Sequence, residues 1–355
     1  MTSDLSLTAY RPRQRLHIRE TLVSRPRFPV VDAHNHLGQP FGSAWEARAA
    51  GELAAAMDAA GVESVVDLDG GWGDRLRAEI ARWQEALPGR VAVFASLDYE
   101  RWASDTAFGD TEAARLREGV AAGARGLKVW KTLGLRARDP GGQLIAVDDP
   151  RLDALWSAAG ELGVPVTIHV ADPIAFFDPL DETNERWEEL QENPSWHFWP
   201  TRPPGRPDVD GFPPFDELID GLEAVVVRHP GTTFIGAHVG CAAEDLARVS
   251  AILERCPNFH VDLAARLAEI GRQPYTARAF VERWADRVLF GTDFGPEPAM
   301  YAVHYRFLET FDESFDYDTD EVPGQGRWQI HGLGLPDEVL AKVYRDNARR
   351  LIQFG

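Results

Sequence analysis

The sequence predicts an α/β fold in which eight parallel strands alternate with helices and close into a (β/α)8 TIM barrel. Two observations favour this fold. Short runs rich in β-branched residues recur along the chain, each of a length typical of a buried parallel strand, and helical segments separate them. The rival, a doubly wound open sheet, usually carries a glycine fingerprint after its first strand. Here the first strand leads instead into Asp32-Ala33-His34-Asn35-His36.

The predicted strands are short apolar runs spread over most of the chain. They are Phe28–Ala33, Ser64–Asp69, Val91–Leu97, Gly126–Trp130, Val164–Val170, Thr232–His238, Phe259–Leu263 and Arg287–Thr292. Parallel strands that are covered on both faces read as continuous apolar segments of this kind.

Helices are predicted between the strands from apolar periodicity and from end signals. Gly61 and Gly163 stand where a helix ends in a left-handed residue, and Asp149-Pro150 is a cap followed by proline at the first helical position. The predicted helices are Ala44–Ala60, Asp74–Leu87, Thr111–Ala122, Pro150–Leu162, Phe215–Val227, Ala243–Arg255, Pro274–Trp284 and Pro336–Gln353.

Two long stretches interrupt this alternation. Residues 171–214 form an insertion after strand five that is rich in proline and aromatic residues, which suits a lid or cavity wall, a packed satellite or a subunit contact. Residues 294–336 are predicted to form a surface excursion after strand eight. Residues 1–28 are predicted to be an arm lying across a single barrel domain, residues 29–355.

Composition excludes several classes of protein. The formal net charge of −19 argues against nucleic acid or an anionic membrane as the main partner. No apolar run approaches the length of a transmembrane helix, and the arginine-rich start has no apolar core of a secretion signal. Cys241 and Cys256 do not form a disulfide framework. We therefore expect a cytoplasmic enzyme with a small-molecule substrate; a homodimer stays open.

Chemistry-bearing side chains follow the predicted strands at one end of the barrel. His34 and His36 end strand one, His169 ends strand five, His238 ends strand six and Asp293 ends strand eight. Side chains two residues apart share a face of a strand, so the first two histidines are expected to project inward together. A barrel brings its strand ends around one axis, and three histidines with an aspartate suit zinc, or manganese as the alternative.

Several motifs resemble those of the amidohydrolase superfamily, in its amidohydrolase-related branch, which contains both hydrolases and decarboxylases such as aminocarboxymuconate semialdehyde decarboxylase and γ-resorcylate decarboxylase. The segments that carry the resemblance are residues 31–36, 167–169, 236–240, 290–293 and 343–351. The resemblance implies one divalent metal held by His34, His36, His169 and Asp293, with His238 as a catalytic acid or base. Asp293 is expected to share the proton transfer, because a carboxylate that touches metal-bound water is placed to accept a proton. The resemblance also implies a second metal if Lys128, on strand four, is carboxylated.

The expected activity is metal-dependent hydrolysis of an ester, lactone or amide, in which metal-activated water attacks a small, carboxylated substrate. Non-oxidative decarboxylation of an aromatic or unsaturated acid is the alternative, and a barrel without catalysis is the third hypothesis. Decarboxylases of the branch often have a glutamate near the first-strand ligands, whereas this chain has Asn35 between them. For substrate contact the sequence offers Lys128, Trp130, Trp72 and His197, because tryptophan and lysine suit an unsaturated carboxylate.

Overall fold

The computed structural model describes residues 6, 10, 13, 15–38, 45–199, 211–320 and 323–355. The strands lie in chain order around a cylinder and all their pairings are parallel. They are β1 (Val30–Asn35), β2 (Val62–Asp67), β3 (Val91–Val93), β4 (Ala95–Ser96), β5 (Leu127–Val129), β6 (Val166–Ile168), β7 (Phe234–Gly236), β8 (Phe259–Asp262) and β9 (Val288–Leu289).

Strands β3 and β4 are two halves of the third barrel strand, separated by Phe94. The backbone N–H of Phe94 still bonds to Asp67 on β2, and that of Ala95 bonds to Gly126, so the run continues from one neighbour to the next. The cylinder closes where Ala33 N–H donates to the carbonyl of Phe290 over 2.9 Å. All eight predicted strands, and the (β/α)8 barrel itself, are therefore confirmed.

Helices surround the strands. They are α1 (Ala50–Ala60), α2 (Gly73–Ile80), α3 (Tyr99–Trp102), α4 (Phe108–Ala121), α5 (Asp153–Leu162), α6 (Trp187–Glu192), α7 (Phe215–Arg228), α8 (Leu246–Arg255), α9 (Leu267–Ile270), α10 (Pro274–Arg283), α11 (Pro298–Glu309), α12 (Asp337–Ala341) and α13 (Asn347–Leu351). Single-turn 3-10 helices and wider π turns add to these; they are Trp45–Ala47, Ala81–Glu85, Pro150–Leu152, Ile174–Phe177, Pro194–Trp196 and Lys342–Asp346. No helix among the described residues has the length and apolar character needed to cross a membrane.

The apolar core has two parts. The larger lies between the strands and the helices, and a smaller cluster joins Val31, Val66, Ile235 and Leu289 from strands on different sides of the cylinder, so it fills the interior. Deep burial of both explains why the strand runs carry few polar residues below their carboxyl ends.

The expectation that residues 294–336 form a surface excursion is wrong for their first part. Helix α11 packs beside α1, and Tyr301 and Tyr305 on it are buried against Phe290. The aromatic spacing of three and four residues along this segment is the pattern of a helix with one buried face. The stretch therefore covers the barrel wall before the chain turns outward.

The predicted arm and insertion are only partly described. From residue 15 to residue 28 the chain has no helix or strand, and it is tied down where Thr21 donates to Asp312 and Arg27 to Glu309. Within the insertion, α6 and two short 3-10 helices lie between residues 174 and 196. Residues 200–210 of the insertion lie outside the described residues, and so does Ala44, where the first predicted helix begins.

Candidate metal centre

The strand-end residues singled out in the sequence come together at the carboxyl ends of the strands. His34 Nε2 lies 3.0 Å from Asp293 Oδ1, and His36 Nε2 lies 3.1 Å from the same oxygen. The imidazole of His238 lies 4.8 Å from that of His34 between ring centroids, and the ring of His169 lies 4.4 Å from that of His238. Strands from distant parts of the chain thus place five side chains in one cluster.

Within this cluster, three residues offer ligand atoms that all lie within 4.8 Å of one another: His34, His238 and Asp293. The set differs from the one expected from resemblance, because His238 belongs to it and His169 stands next to it. His36 joins the same centre through its contact with Asp293.

Two aspartates hold the first-strand imidazoles from behind. His34 Nδ1 donates to Asp262 Oδ2 over 2.8 Å, and His36 Nδ1 donates to Asp69 Oδ1 over 2.8 Å. Each bond fixes the tautomer in which Nε2 carries a lone pair, and both lone pairs then face Asp293. Two ring nitrogens and a carboxylate oxygen that converge as acceptors fit a bound divalent cation, so the residues present suit the metal that the sequence predicts.

Charge balance among the side chains of the cluster points the same way. Burial lowers the pKa of His36, but Asp69 and Asp293 outweigh it and raise this pKa to about 9. Burial raises the pKa of Asp293, yet the neighbouring His34 and His238 hold it well below its usual value. The cluster therefore favours a positive charge between its acceptors, which a cation supplies.

The backbone around His238 and Asp293 is left-handed, which is rare for residues other than glycine. His238 has φ 57° and Val239 has φ 59°, and Asp293 has φ 72°. The turn at His238 is held by its N–H, which donates to Asp262 Oδ1 over 2.9 Å, and by its Nδ1, which donates to the carbonyl of Ala264 over 2.9 Å. Strained positions of this kind concentrate at functional sites, where surrounding bonds hold them in place.

A third aspartate anchors the end of β1 from outside the cluster. Asp32 accepts hydrogen bonds from Thr292 Oγ1 at 2.6 Å, Tyr301 Oη at 2.7 Å and Asn35 Nδ2 at 2.9 Å. The side chain of Asn35 thus points away from the cluster of candidate metal ligands, although Asn35 stands between the two histidines in sequence. The first strand is joined in this way to the residue preceding Asp293.

The sequence analysis missed all three of these aspartates. Asp32, Asp69 and Asp262 each stand at or next to the carboxyl end of a predicted strand, which was the available signal. Imidazoles that bind metal need an acceptor for their second nitrogen, so acids beside strand ends were the residues to look for.

His169 has a carboxylate partner of its own. Its Nε2 donates to Asp172 Oδ1 over 3.2 Å, and Asp172 is also ion-paired with Lys131. Burial lowers the pKa of His169 to about 4, so this ring is neutral at physiological pH. His169 therefore reaches the cluster as a neutral imidazole whose second nitrogen remains available.

The four residues proposed for substrate contact have different positions. Lys128 is fully buried, with Nζ 3.3 Å from His34 Nε2 and 4.9 Å from the centre of the Trp130 ring, so it lies next to the cluster of candidate metal ligands. Trp130 lines the cavity described next. Trp72 lines a separate small cavity between α2 and α4, and His197 donates from Nε2 to the carbonyl of Asp178 over 2.9 Å, outside the main cavity.

A cavity of about 490 Å³ opens onto the metal cluster. His169, His238 and Asp293 form its inner end. Its walls come mainly from the insertion after β6 and from the stretch after β9. Five of the lining residues have large aromatic side chains: Trp130, Phe176, Trp196, Phe294 and Tyr317. Charged side chains also line it, namely Lys131, Asp172, Glu189, Glu192, Arg266 and Asp318. Its size suits a small molecule with a flat, unsaturated body.

An α/β barrel with a candidate divalent-metal site at the carboxyl ends of its strands defines the class of this protein. Residues 31–354 match the model of the family described as Amidohydrolase, so the chain belongs to the amidohydrolase family and is an enzyme of that family. The resemblance seen in the sequence motifs is thereby confirmed. A search of curated proteins found no match.

Solved structures with the same fold include several decarboxylases, one of them with bound manganese. A 2,6-dihydroxybenzoate decarboxylase from Rhizobium is 18% identical, with 91% of this chain and 98% of that chain covered and a TM-score of 0.55. A dihydroxybenzoic acid decarboxylase from Polaromonas, solved with manganese and the inhibitor 2-nitroresorcinol, is 16% identical, with 91% and 96% covered and a TM-score of 0.55. A 5-carboxyvanillate decarboxylase from Sphingomonas paucimobilis is 16% identical, with 92% and 99% covered and a TM-score of 0.52. At these identities the likeness shows the fold.

Proposed function

We propose that the chain is a metal-dependent, non-oxidative decarboxylase of a small aromatic carboxylic acid. The observation that carries the proposal is the aromatic cavity that ends at His238 and Asp293. A flat ring fits between such walls, and its carboxylate then meets the polar end. Decarboxylases of hydroxybenzoates share this fold, and their substrates have the same chemistry.

His34, His36 and Asp293 would hold the metal, with His169 completing the set, which leaves His238 for proton transfer. Zinc and manganese both suit imidazole and carboxylate ligands, and manganese occupies the related Polaromonas enzyme. A divalent ion bound there supplies positive charge that neutralises a substrate carboxylate and polarises neighbouring oxygen atoms.

The chain's own residues would position the ring and move a proton. His238 in its protonated form donates a proton to the ring carbon that bears the carboxylate. The bond from that carbon to the carboxylate breaks, its electron pair restores the aromatic ring, and CO2 leaves. Burial holds the pKa of His238 well below its usual value, so its protonated form gives up a proton readily. His238 regains that proton from solvent, and the neighbouring Asp293 favours the charged imidazole.

Hydrolysis, the expectation from sequence, is the second candidate. Its support is that His238 donates through Nδ1 to Ala264, which leaves the other ring nitrogen as a base beside Asp293. Such a base takes a proton from water as readily as its protonated form gives one to carbon. The same side chains therefore serve either reaction, and the substrate decides between them.

The test compares released CO2 with oxygen taken from water. The full chain, loaded with manganese or with zinc, is incubated in ¹⁸O-labelled water with 2,6-dihydroxybenzoate, 5-carboxyvanillate and a set of aryl esters and lactones. Decarboxylation predicts CO2 and the matching phenol from at least one acid, and no ¹⁸O in the products of the esters. Ester or lactone turnover with ¹⁸O in the new carboxylate, and no CO2, would favour hydrolysis instead.

Two variants link the activity to the site. His238→Asn is expected to lower kcat by about 100-fold or more, because it removes the proton donor. His17→Gln is the matched control, since His17 is exposed on the arm, and it is expected to leave the rate unchanged. Equal rates in His238→Asn and the unmodified chain would exclude His238 from the chemistry.

A further inference from the structure

Arg266 is a buried cation on the cavity wall, and no acid among the described residues forms an ion pair with it. It is only 5% exposed and it lines the cavity. Its Nη1 donates to the carbonyl of Ala265 over 2.8 Å. In the part of the chain that the structure describes, the other N–H groups of its guanidinium have no hydrogen-bond partner, and no carboxylate forms an ion pair with it. These guanidinium N–H groups remain accessible from the cavity.

Two acids of the cavity wall make their ion pairs elsewhere, although the charge of Arg266 still opposes the rise in the pKa of Glu189 that burial causes. Glu189 accepts from Arg186 over 2.6 Å, and Asp172 is paired with Lys131. Glu269 is paired with Arg186 as well, behind the wall. A guanidinium that is taken out of water without a partner costs free energy, so its exposed N–H groups favour an anion from outside the chain.

The backbone fixes Arg266 close to the reacting end of the cavity. Ala265 is left-handed, with φ 51°, and the preceding Ala264 provides the carbonyl that holds His238 Nδ1 at 2.9 Å. Gln325 Nε2, from the stretch after β9, also donates to the carbonyl of Ala265 over 3.3 Å, so this turn is tied to a second segment of the chain. An ordered turn of this kind presents the guanidinium in a set position, as bidentate binding of a carboxylate needs.

We propose that Arg266 binds a second anionic group of the substrate, one that stays on the ring when CO2 leaves. This inference rests on the proposed decarboxylase function. A metal at the inner end of the cavity would already neutralise the reacting carboxylate, and a further salt bridge from Arg266 to that group would stabilise a charge that the reaction must remove. A salt bridge to a group that does not react contributes equally before and during the reaction, so it aids binding and orientation at no such cost. The substrate class is accordingly an aromatic acid with a further carboxylate or a comparably acidic oxygen.

Binding of two unreactive probes tests this assignment. Benzoate and benzene-1,3-dicarboxylate differ by one carboxylate, and neither ring carries a hydroxyl group that would activate it. Isothermal titration of the manganese-loaded full chain is expected to give about tenfold or more tighter binding of the dicarboxylate, the effect of one charge-assisted bidentate contact in a buried site. Arg266→Gln is expected to bring the dicarboxylate to within about twofold of benzoate, with benzoate binding unchanged.

Two further variants keep the test decisive. Arg266→Lys keeps the charge without the planar fork of the guanidinium. Its preference for the dicarboxylate over benzoate is therefore expected to be smaller than that of the unmodified chain and larger than that of Arg266→Gln. Arg283→Gln is the control, because Arg283 is an exposed residue paired with Glu254, and its preference is expected to match the unmodified chain. If Arg266→Gln does not unfold cooperatively, Arg266→Lys alone carries the test, and an undiminished preference for the dicarboxylate in a folded Arg266→Lys overturns the inference.

The remaining outcomes separate the inference from the proposed function. If the unmodified chain binds both probes equally, or if Arg266→Gln weakens both by the same factor, the assignment of Arg266 is wrong while the aromatic-acid site stands. If Arg266→Gln still prefers the dicarboxylate to benzoate, the assignment of Arg266 is likewise wrong and the aromatic-acid site stands. If the unmodified chain binds neither probe, the proposed substrate class fails and the inference fails with it.

Discussion

Asp262 accepts a hydrogen bond of 2.8 Å from His34 Nδ1, and with its other carboxylate oxygen it accepts the backbone N–H of His238 at 2.9 Å. One buried side chain thus orients two members of the cluster. A carboxylate can do so because both of its oxygens are acceptors, whereas an amide offers one acceptor and one donor.

Replacing this carboxylate is expected to weaken metal binding. Asp262→Asn places an NH2 group against one of the two N–H donors, so His34 or the His238 turn loses its partner. Loss of such a second partner typically lowers metal affinity by about 10- to 100-fold. Competition titration with a chelator measures the effect, and Asp286→Asn, which changes an exposed acid, serves as the control. Unchanged affinity in Asp262→Asn would show that the first-strand imidazole needs no support.

Lys128 is expected to affect the metal more than the substrate. Its ammonium group lies 3.3 Å from His34 Nε2 and it does not line the cavity. Like charges repel, so Lys128→Met is expected to raise affinity for a divalent ion by on the order of tenfold. Metal titration measures this, with the exposed Lys342→Met as control. A higher KM with unchanged metal affinity would instead support the direct substrate contact predicted from sequence.

The hydroxyl of Tyr301 is expected to stabilise the fold through Asp32. Tyr301→Phe removes a buried bond of 2.7 Å and leaves a carboxylate with one donor fewer, which costs about 1–3 kcal/mol. Urea unfolding of the metal-free chain gives the free energy. Tyr275→Phe is a matched control because Tyr275 is 88% exposed. Equal losses in the two variants would contradict the anchoring role of Asp32.

His304 predicts how stability depends on acid. Its Nδ1 donates to the carbonyl of Met300, its Nε2 has no partner among the described residues, and burial lowers its pKa to about 4. This pKa is about 6.5 in the unfolded chain, so above that pH the histidine is neutral in both states and does not change the free energy of unfolding. As the pH falls from about 6.5 towards 4, the unfolded chain takes up the proton more readily, and the free energy of unfolding decreases. The loss at pH 4.5 is on the order of 2–3 kcal/mol.

Removing this histidine should flatten the acid limb of the stability curve. His304→Phe keeps a ring beside Phe290 and removes the titrating group. The difference in unfolding free energy between pH 7 and pH 4.5 should therefore shrink by about 2 kcal/mol relative to the unmodified chain. His17→Gln should leave that difference as it was. The same pH dependence in His304→Phe would assign the loss to other groups.

Sequence patterns predicted the barrel and the strand-end residues because both are repeated or local signals. Short apolar runs mark the strands whatever they pack against, and residues at their carboxyl ends must meet in a closed cylinder. The position of His36 beside Asp293 follows from that geometry alone. The aspartates behind the imidazoles are single residues in ordinary surroundings, so no periodicity distinguishes Asp69 from an acid at the surface.

Other features depend on long-range packing and could not be read from the chain in order. Trp72 follows a strand, yet its loop leads it to the side of the barrel between α2 and α4. Arg266 appears in an Ala-Arg-Leu segment with no sign of a binding residue, and only the left-handed turn at Ala265 brings it to the cavity. Helix α11 was hidden because the acidic residues that follow it made the whole stretch look like surface.

The anchoring of β1 through Asp32 and Thr292 lies apart from the cavity walls, which come chiefly from segments 172–196 and 294–325, and of the anchoring residues Tyr301 alone stands within those segments. Evolution can therefore change most other side chains of those two segments without disturbing the strand ends that carry the candidate ligands. A scaffold arranged in this way is suited to diversify, with paralogues that keep the strand-end cluster and differ in the cavity that opens onto it.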